Sequence, residues 1–461
     1  MQDRNQRLFL IVFTAIVTLA LLSMCPWGEW TGGWFKDFNL LGGVEAPTPK
    51  AIIEDAGNID PELAQLQDAQ KANPEPVDSD TVVQQVEITY DFKAPVKDGI
   101  VLFEDYSKDK SGLAKLKQTL SEASSRRVRI AMVGDSYIEG DILAQDIRAG
   151  LQSRYGGNGV GYVAAFSAFP GFRRSVTQIS QNWGEREIRK MGNDTLRTIL
   201  GHYHIAESAP DMRYQGSAKT EHASEWKRTM ILFMAPTAGR IDFSGPDNEA
   251  VSYEVEPTGQ LQCLVHEAPT GDIRIKSDIV GLKVLGVWLE DPTGVVLDGI
   301  SLRGNSGISH RRLNAATTSI MRQWVDYDLI ILEFGMNALS AEQTDYTAYG
   351  NVMLEVVNNL KRLYPNAQIL IMGVGDRGTK IGTDYVSMST LPALIKAQRE
   401  LAQRTGSLFY DTRAAMGGEN SAIGWHARKL INSDYVHLNH KGGKELADII
   451  LNSLDTSLSD E

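Results

Sequence analysis

The stretch DYDLIILEFG, residues 326–335, carries an unbroken apolar run from Leu329 to Leu332. A strand with one face in water alternates in hydrophobicity. A strand that is apolar throughout must be covered on both faces, as in a parallel sheet flanked by helices. Neighbouring segments fit the same architecture. VVLDGISLRG (295–304), AQILIMGVG (367–375) and SLFYDT (407–412) read as further strands. YTAYGNVMLEVVNNLKRLY (346–364), LPALIKAQRELAQRTG (391–406) and HKGGKELADIILNSL (440–454) read as helices. Upstream, SGLAKLKQTLSEASS (111–125) predicts a helix with Ser111 as its N-cap, RVRIAMV (127–133) a strand, and 142–155 a helix. Alternation of this kind predicts an α/β fold, a doubly wound parallel sheet.

The alternation is interrupted. From about 175 to 290 the segments are short: MILFMA, RIDFSG, VSYEVEP, IRIKS and LKVLGVWLE, separated by Gly, Pro, Asp and Asn. No long helical period occurs, and the pattern predicts an inserted β-sandwich or jelly-roll. At the other end, Arg4 and Arg7 precede LFLIVFTAIVTLALLSMC, residues 8–25, which has no charge. Such a run reaches the lower limit for a membrane span. No Ala-x-Ala site follows it, so a retained signal anchor is expected, with its N-terminus in the cytoplasm. Trp27, Trp30 and Trp34 suit the far interface. Cys25 as a lipidation site is the lesser alternative, because Met24 is too large for a lipobox. Residues 44–80 are rich in Pro, Ala, Gln and acids and read as a flexible spacer with a short helix near 61–71. TVVQQVEITYDF (81–92) reads as an edge strand. The expected partition is anchor 1–25, spacer 26–95, α/β domain 96–175, β module 176–292, and the remainder of the α/β domain at 293–461.

The length of 461 residues calls for two or three units. A net charge of −12, with no basic stripe, argues against nucleic acid as a partner. Two cysteines, Cys25 and Cys263, make neither a disulfide framework nor a thiolate metal site. No metal or organic cofactor is implied.

Four short motifs fall at strand ends or just before the last helix, where α/β sheets carry their sites. They are Gly134-Asp135-Ser136, SLRGNSGISH (301–310), EFGMNAL (333–339) and SDYVHLNHKG (433–442). Ser136 reads as a nucleophile or as a helix N-cap. A serine hydroxyl needs a positioned base, usually histidine, itself oriented by a carboxylate. Asp434 and His437, three apart, share a face in a helical turn. His440, six from Asp434, fits that role less well. Acyl transfer also needs hydrogen-bond donors where negative charge develops. The Ser136 N–H, a glycine N–H at Gly304 or Gly307, and the Asn337 amide are suitable. Asp135 is expected to brace the turn, and His310 to lie at the surface or in a substrate groove. Asp376-Arg377 is expected at the cleft or in a solvated turn. The glycine run 156–161 lacks the Lys-Ser/Thr of a phosphate loop.

Gly-Asp-Ser, a following Gly, Gly-x-Asn and Asp-x-x-His, in that order, resemble the four blocks of the SGNH (GDSL-type) hydrolases. The resemblance covers about 127–175 and 295–455. It implies a flavodoxin-like three-layer sheet, with Ser136 as nucleophile, His437 as base and Asp434 as its partner. It selects Gly307, with Asn337 and the Ser136 N–H, for the oxyanion hole. The layout RIAMVGDSYIEGD, GGNGVGYV and then a β-rich insertion resembles the periplasmic peptidoglycan O-acetylesterases. VVLDGISLRGNSG followed by YDLIILEFGMN is also similar to secreted SGNH proteins of Bacteroidetes-type bacteria. Tyr137 and Met336 depart from the usual His and Thr, a difference expected to touch substrate preference. The resemblance implies a serine esterase removing O-acetyl groups from peptidoglycan or another polysaccharide. It would be anchored in the inner membrane of a Gram-negative bacterium, with its catalytic domain in the periplasm. The alternatives are a polysaccharide O-acetyltransferase with the same triad, or a non-catalytic glycan-binding scaffold.

Overall fold

The computed structural model describes residues 59–65, 92–246 and 249–459, together with Thr14 and Thr18. Those from 59 onward belong to one compact unit, Thr48–Glu461. The expected anchor (but for Thr14 and Thr18) and the expected strand over 81–92 (but for Phe92) lie outside the described residues. Among the described residues no helix is long and apolar enough to cross a membrane.

The central sheet has six strands: β1 (Glu104–Asp105), β2 (Arg127–Gly134), β3 (Gly294–Ser301), β4 (Leu329–Glu333), β5 (Gln368–Met372) and β6 (Leu408–Tyr410). Their order is β3-β2-β4-β5-β6-β1. All neighbours run parallel except β1, which pairs antiparallel with β6. Counted along the chain, the parallel strands are ordered 2-1-3-4-5, the flavodoxin-like arrangement with its switch point beside the first strand. That first strand is β2, which ends at the Gly-Asp-Ser motif.

The apolar runs are explained by burial on two faces. Ile130 and Met132 of β2 pack in one cluster with α1 (Gly112–Ser121), α2 (Ala144–Tyr155) and α5 (His440–Ser459). Ala131 and Val133 pack on the opposite side with α3 (Thr347–Leu363) and α4 (Leu391–Thr405). The start of α1 differs from expectation. The Ser111 side chain does not cap it but turns back to Lys108 O. Asp105 Oδ2 and Ser107 Oγ instead accept from Leu113 N and Gly112 N, at 2.9 and 2.7 Å.

The β-rich segment forms two antiparallel sheets. One contains Trp226–Met234 and Lys283–Glu290 at its centre and also recruits Gly161–Val163, ahead of residue 176. The other runs Val251–Val255, Gly239–Ser244, Asp272–Ser277, Asp211–Gly216 and Val176–Ser180. In Trp226–Met234 the alternation is between two cores. Ile231 and Phe233 point into the sandwich, and Met230 and Leu232 into the cluster shared with the α/β sheet. Both faces are covered, which is why this strand reads as a continuous apolar run. Buried polar groups fasten the junction. Arg129 of β2 meets Glu290 at 2.6 Å. Asp298 of β3 accepts from Trp288 Nε1 at 2.8 Å and from Tyr327 Oη at 3.1 Å. Removing one member of such a buried set costs roughly 3–5 kcal/mol.

Residues 59–65 do not behave as spacer. Asp60-Pro61 opens a helical turn over 61–65, with Asp60 Oδ1 accepting from Glu62 N at 3.0 Å. This is an N-cap followed by proline in the first turn. Leu63 is 1% exposed and joins the main cluster.

Candidate active site

β2 delivers Ser136 to the switch point through a turn with little room for side chains. A Cβ at Gly134 would lie 2.6 Å from the Glu333 carbonyl oxygen, so the close approach of β2 and β4 requires glycine there. Asp135 caps the next turn, its Oδ1 accepting from Tyr137 N at 2.9 Å. Its Oδ2 accepts from Asn337 Nδ2, also at 2.9 Å. The bracing role expected of Asp135 thus extends to β4 as well. Ser136 opens the 310 turn, so its N–H has no partner within that turn.

Ser136 Oγ lies 2.8 Å from His437 Nε2, and His437 Nδ1 lies 2.7 Å from Asp434 Oδ2. The serine and histidine are nearly enclosed, at 7% and 3% exposure. Burial would raise the Asp434 carboxyl. The hydrogen bond and charge of His437, with the Val436 and His437 N–H groups, instead hold it below the usual carboxylate range. It is therefore an anion at neutral pH, which makes Nδ1 a donor and leaves the Nε2 lone pair for the serine proton.

Asp434 and His437 meet, but not in a helical turn. They sit in a tight loop closed by an Ile431–Leu438 bridge and by Asn432 N donating to His437 O at 2.8 Å. Tyr435 takes a positive φ of 58° at its apex. Asp434 Oδ1 then accepts from Val436 N and His437 N at 3.0 and 3.1 Å. Helix α5 begins after this loop. At its start, His440 is turned away to Phe172 O (3.1 Å) and Gln145 Nε2 (3.4 Å). Burial pushes the His440 imidazole down to about 4.

The three expected oxyanion donors are not in equal states. Gly307 has φ 92°, but its N–H is turned into its own loop, donating to Asn305 Oδ1 at 2.7 Å. The Asn337 amide is held by Asp135 and, less closely, by Asn305 O at 3.3 Å. Gly304 contributes its carbonyl to Arg189 Nη1 at 2.9 Å.

Several other expectations are revised. His310 is fully buried rather than in a groove, with its ring nitrogens 3.3 Å from Gly307 O and Ile199 O. Burial lowers it to about 4. The Tyr137 and Met336 side chains are also buried, Tyr137 Oη against Met416 Sδ at 3.7 Å. Asp376 is buried and bound by Ser387, Arg413 and the Ala422 N–H, so it ties loops together rather than meeting solvent. Arg377 is lowered by burial, against the opposing charge of Asp434. Its Nε and Nη1 are enclosed without a hydrogen-bond partner.

Sequence reasoning missed Glu333. It is 1% exposed beneath the motif, and neither carboxylate oxygen has a partner. Burial raises both Asp135 and Glu333. Asp135 keeps two donors, whereas its own N–H faces Glu333 without closing a bond of normal geometry. Glu333 is the one raised further, by burial and by the Asp135 charge. The other omission is Asp60. Its N–H donates to Asn337 O at 2.9 Å, and its Oδ2 accepts from Ser306 N and Ser306 Oγ, both at 2.8 Å. The Asp-Pro-Glu signature announces the helix turn but not its docking.

A cavity of about 660 Å³ lies between the β module and the α/β sheet. The far end of the Ser136 turn, Ile138 to Asp141, forms one wall, and Phe166, Phe169, His202 and His204 contribute to the others. The Arg303 guanidinium stacks 4.6 Å above Phe169. His204 Nδ1 is buried without a partner. Among the described residues no cluster of His, Cys, Asp or Glu could hold a metal ion.

Residues 286–444 match the family of GDSL-like lipases/acylhydrolases. No curated protein matches the chain by sequence. Among solved structures, a peptidoglycan O-acetylesterase superimposes with a TM-score of 0.64 and 22% identity, over 78% of this chain and 99% of its own. A family two carbohydrate esterase from Cellvibrio japonicus gives a TM-score of 0.27 and 12% identity, over 62% of this chain and 98% of its own.

Proposed function

We propose that this chain is a GDSL-type esterase that removes O-acetyl groups from a cell-wall or other polysaccharide through an acyl-enzyme on Ser136, a reading supported by the family match over residues 286–444. The observation that carries the reading is the run of two short contacts from Ser136 Oγ to His437 and from His437 to Asp434, at 2.8 and 2.7 Å. In this reading Oγ attacks the ester carbonyl while Nε2 takes its proton. The anionic Asp434 steadies the imidazolium. The C–O bond to the sugar breaks, and Nε2 returns the proton to the departing sugar oxygen. Water then attacks the acetyl-serine, giving a proton to Nε2. Acetate leaves, and the serine oxygen is reprotonated.

The tetrahedral oxyanion would be met by the Ser136 N–H and by the Asn337 amide, which gives up its 3.3 Å contact to Asn305 O. The Gly307 N–H joins them only on release from Asn305 Oδ1. The polysaccharide assignment is supported by the cavity beside the Ser136 turn. Its two Phe rings suit the C–H faces of sugars, and its Glu and Arg side chains suit hydroxyl groups. The uncharged run at residues 8–25 would tether the domain to the inner membrane, on the periplasmic side.

The test is acetate release from O-acetylated peptidoglycan and from a small acetyl ester, with fluorophosphonate labelling of the intact chain. Labelling at Ser136, and loss of both activities in Ser136→Ala, are expected. Retained hydrolysis in Ser136→Ala would overturn the mechanism.

A further inference from the structure

The loops that carry the expected oxyanion donors belong to strands that are not neighbours. The loop with Asn305, Ser306 and Gly307 follows β3, the loop with Asn337 follows β4, and β2 lies between them. The hydrogen bond that links them directly is a long one, Asn337 Nδ2 to Asn305 O at 3.3 Å, beside the packing of the Phe334 ring against Gly307 and His310. A third segment closes the gap. Asp60, wholly buried, holds both loops at once. Its backbone N–H donates to Asn337 O at 2.9 Å. Its Oδ2 accepts from the N–H and the hydroxyl of Ser306, the residue between Asn305 and Gly307, at 2.8 Å each. The Ser306 carbonyl is in turn fixed by Tyr349 Oη at 2.9 Å.

Asp60 is itself held in place. Its Oδ1 caps the turn at Glu62 N, and Leu63 is anchored in the core. Glu62 pairs with Arg311, at 2.8 Å, and with Arg312, both on the segment just after Gly307. The turn is therefore attached to the glycine loop on both sides of Gly307. An interaction that positions donors costs nothing to rearrange during the reaction, and displacement of such groups by about 1 Å can cost roughly 100-fold in rate.

We propose that Asp60, in a stretch whose composition reads as a spacer, is a positioning residue of the active site: it sets the separation of the Gly307 and Asn337 loops and so the geometry of the oxyanion donors. The inference rests on the esterase reading above. Its effect should fall on the transition state and not on substrate binding.

The experiment compares the full chain with Asp60→Ala and Asp60→Asn on a small acetyl ester, with melting temperature and the rate of Ser136 phosphonylation measured alongside. Asp60→Ala loses both Ser306 bonds and the cap on Glu62 N but keeps the backbone bond to Asn337. It is expected to lower kcat roughly 10- to 100-fold with KM little changed, and to slow phosphonylation, which also builds charge in the hole, by a similar factor. Asp60→Asn keeps one acceptor oxygen, which can serve Ser306 at the expense of the Glu62 cap, and should recover part of kcat. A folded Asp60→Ala with unchanged kcat and phosphonylation rate overturns the proposal. So does a loss that follows the melting temperature alone and leaves kcat per labelled serine intact. If Asp60→Ala does not fold, Ser306→Ala, which removes only the hydroxyl donor, takes its place, and the same outcomes decide. Failure of the esterase reading is seen separately, as an unmodified chain that neither hydrolyses the ester nor labels at Ser136.

Discussion

Asp434 Oδ2 accepts a hydrogen bond from His437 Nδ1 at 2.7 Å while Asp434 Oδ1 takes two backbone N–H groups from the same loop. The carboxylate fixes both the tautomer of the imidazole and the shape of the loop that presents it. Asp434→Asn should keep much of the loop, because an amide oxygen can still accept from Val436 N and His437 N. It reverses the preference at Nδ1, where an amide N–H would favour the tautomer that leaves Nε2 protonated. The expected result is a fall in kcat of roughly 10³- to 10⁴-fold with KM nearly constant. Steady-state hydrolysis of a small acetyl ester measures it, and a loss below tenfold would contradict the role.

Asn337→Ala should reduce both activity and stability, for separable reasons. Loss of an oxyanion donor costs roughly 10²- to 10³-fold in kcat. Loss of the bond to Asp135 Oδ2 leaves a buried carboxylate oxygen unpaired, at about 1–3 kcal/mol. Thermal melting and kcat read the two terms independently. Native melting with lowered kcat would show that Asp135 finds another donor.

Acid should weaken the fold before the Asp434 carboxylate protonates. His310 has an ordinary value of 6.5 when unfolded and about 4 in the folded chain, because burial disfavours the cation. Between these values the unfolded chain binds a proton that the folded chain does not, so stability falls as pH drops below 6.5. The term reaches on the order of 3 kcal/mol by pH 4 and is absent above neutrality. His202 and His440, also lowered to about 4, add in the same direction. Melting temperature should drop between pH 7.5 and 5, and less steeply in His310→Asn. Parallel slopes for the two chains would rule His310 out as a source.

Phe169→Ala tests the cavity beside the Ser136 turn. It removes a ring that stacks on Arg303 and lines the space next to Glu139. Such a face is worth about 0.5–1.5 kcal/mol, so kcat/KM on O-acetylated polysaccharide should fall roughly 2- to 10-fold more than kcat/KM on a small ester. Equal losses on both substrates would remove the cavity from polymer binding.

Much of the chemistry was legible along the chain because it is written in residue type and order. A continuous apolar run states that a strand has two covered faces, and Ile130/Met132 against Ala131/Val133 show those faces. A serine, a histidine and a carboxylate are recognisable as types, and Ser136, His437 and Asp434 do meet. The three-residue spacing of Asp434 and His437 was enough to bring them together, although the conformation that does so is a loop and not a helix.

What the sequence by itself determined is the α/β pattern, the β-rich interruption and the set of candidate site side chains. Each follows from local periodicity, turn chemistry and side-chain identity. Only the tertiary structure decided which backbone donors are engaged and which buried groups support them. The Gly307 N–H is taken by Asn305, His310 is enclosed, Glu333 lies unpaired beneath Asp135, and Asp60 reaches Ser306 across 246 residues. The physical reason is the same in each case. A hydrogen bond or a desolvation penalty depends on what the folded chain places within about 3 Å. No pattern of neighbouring residues records what arrives there from hundreds of positions away.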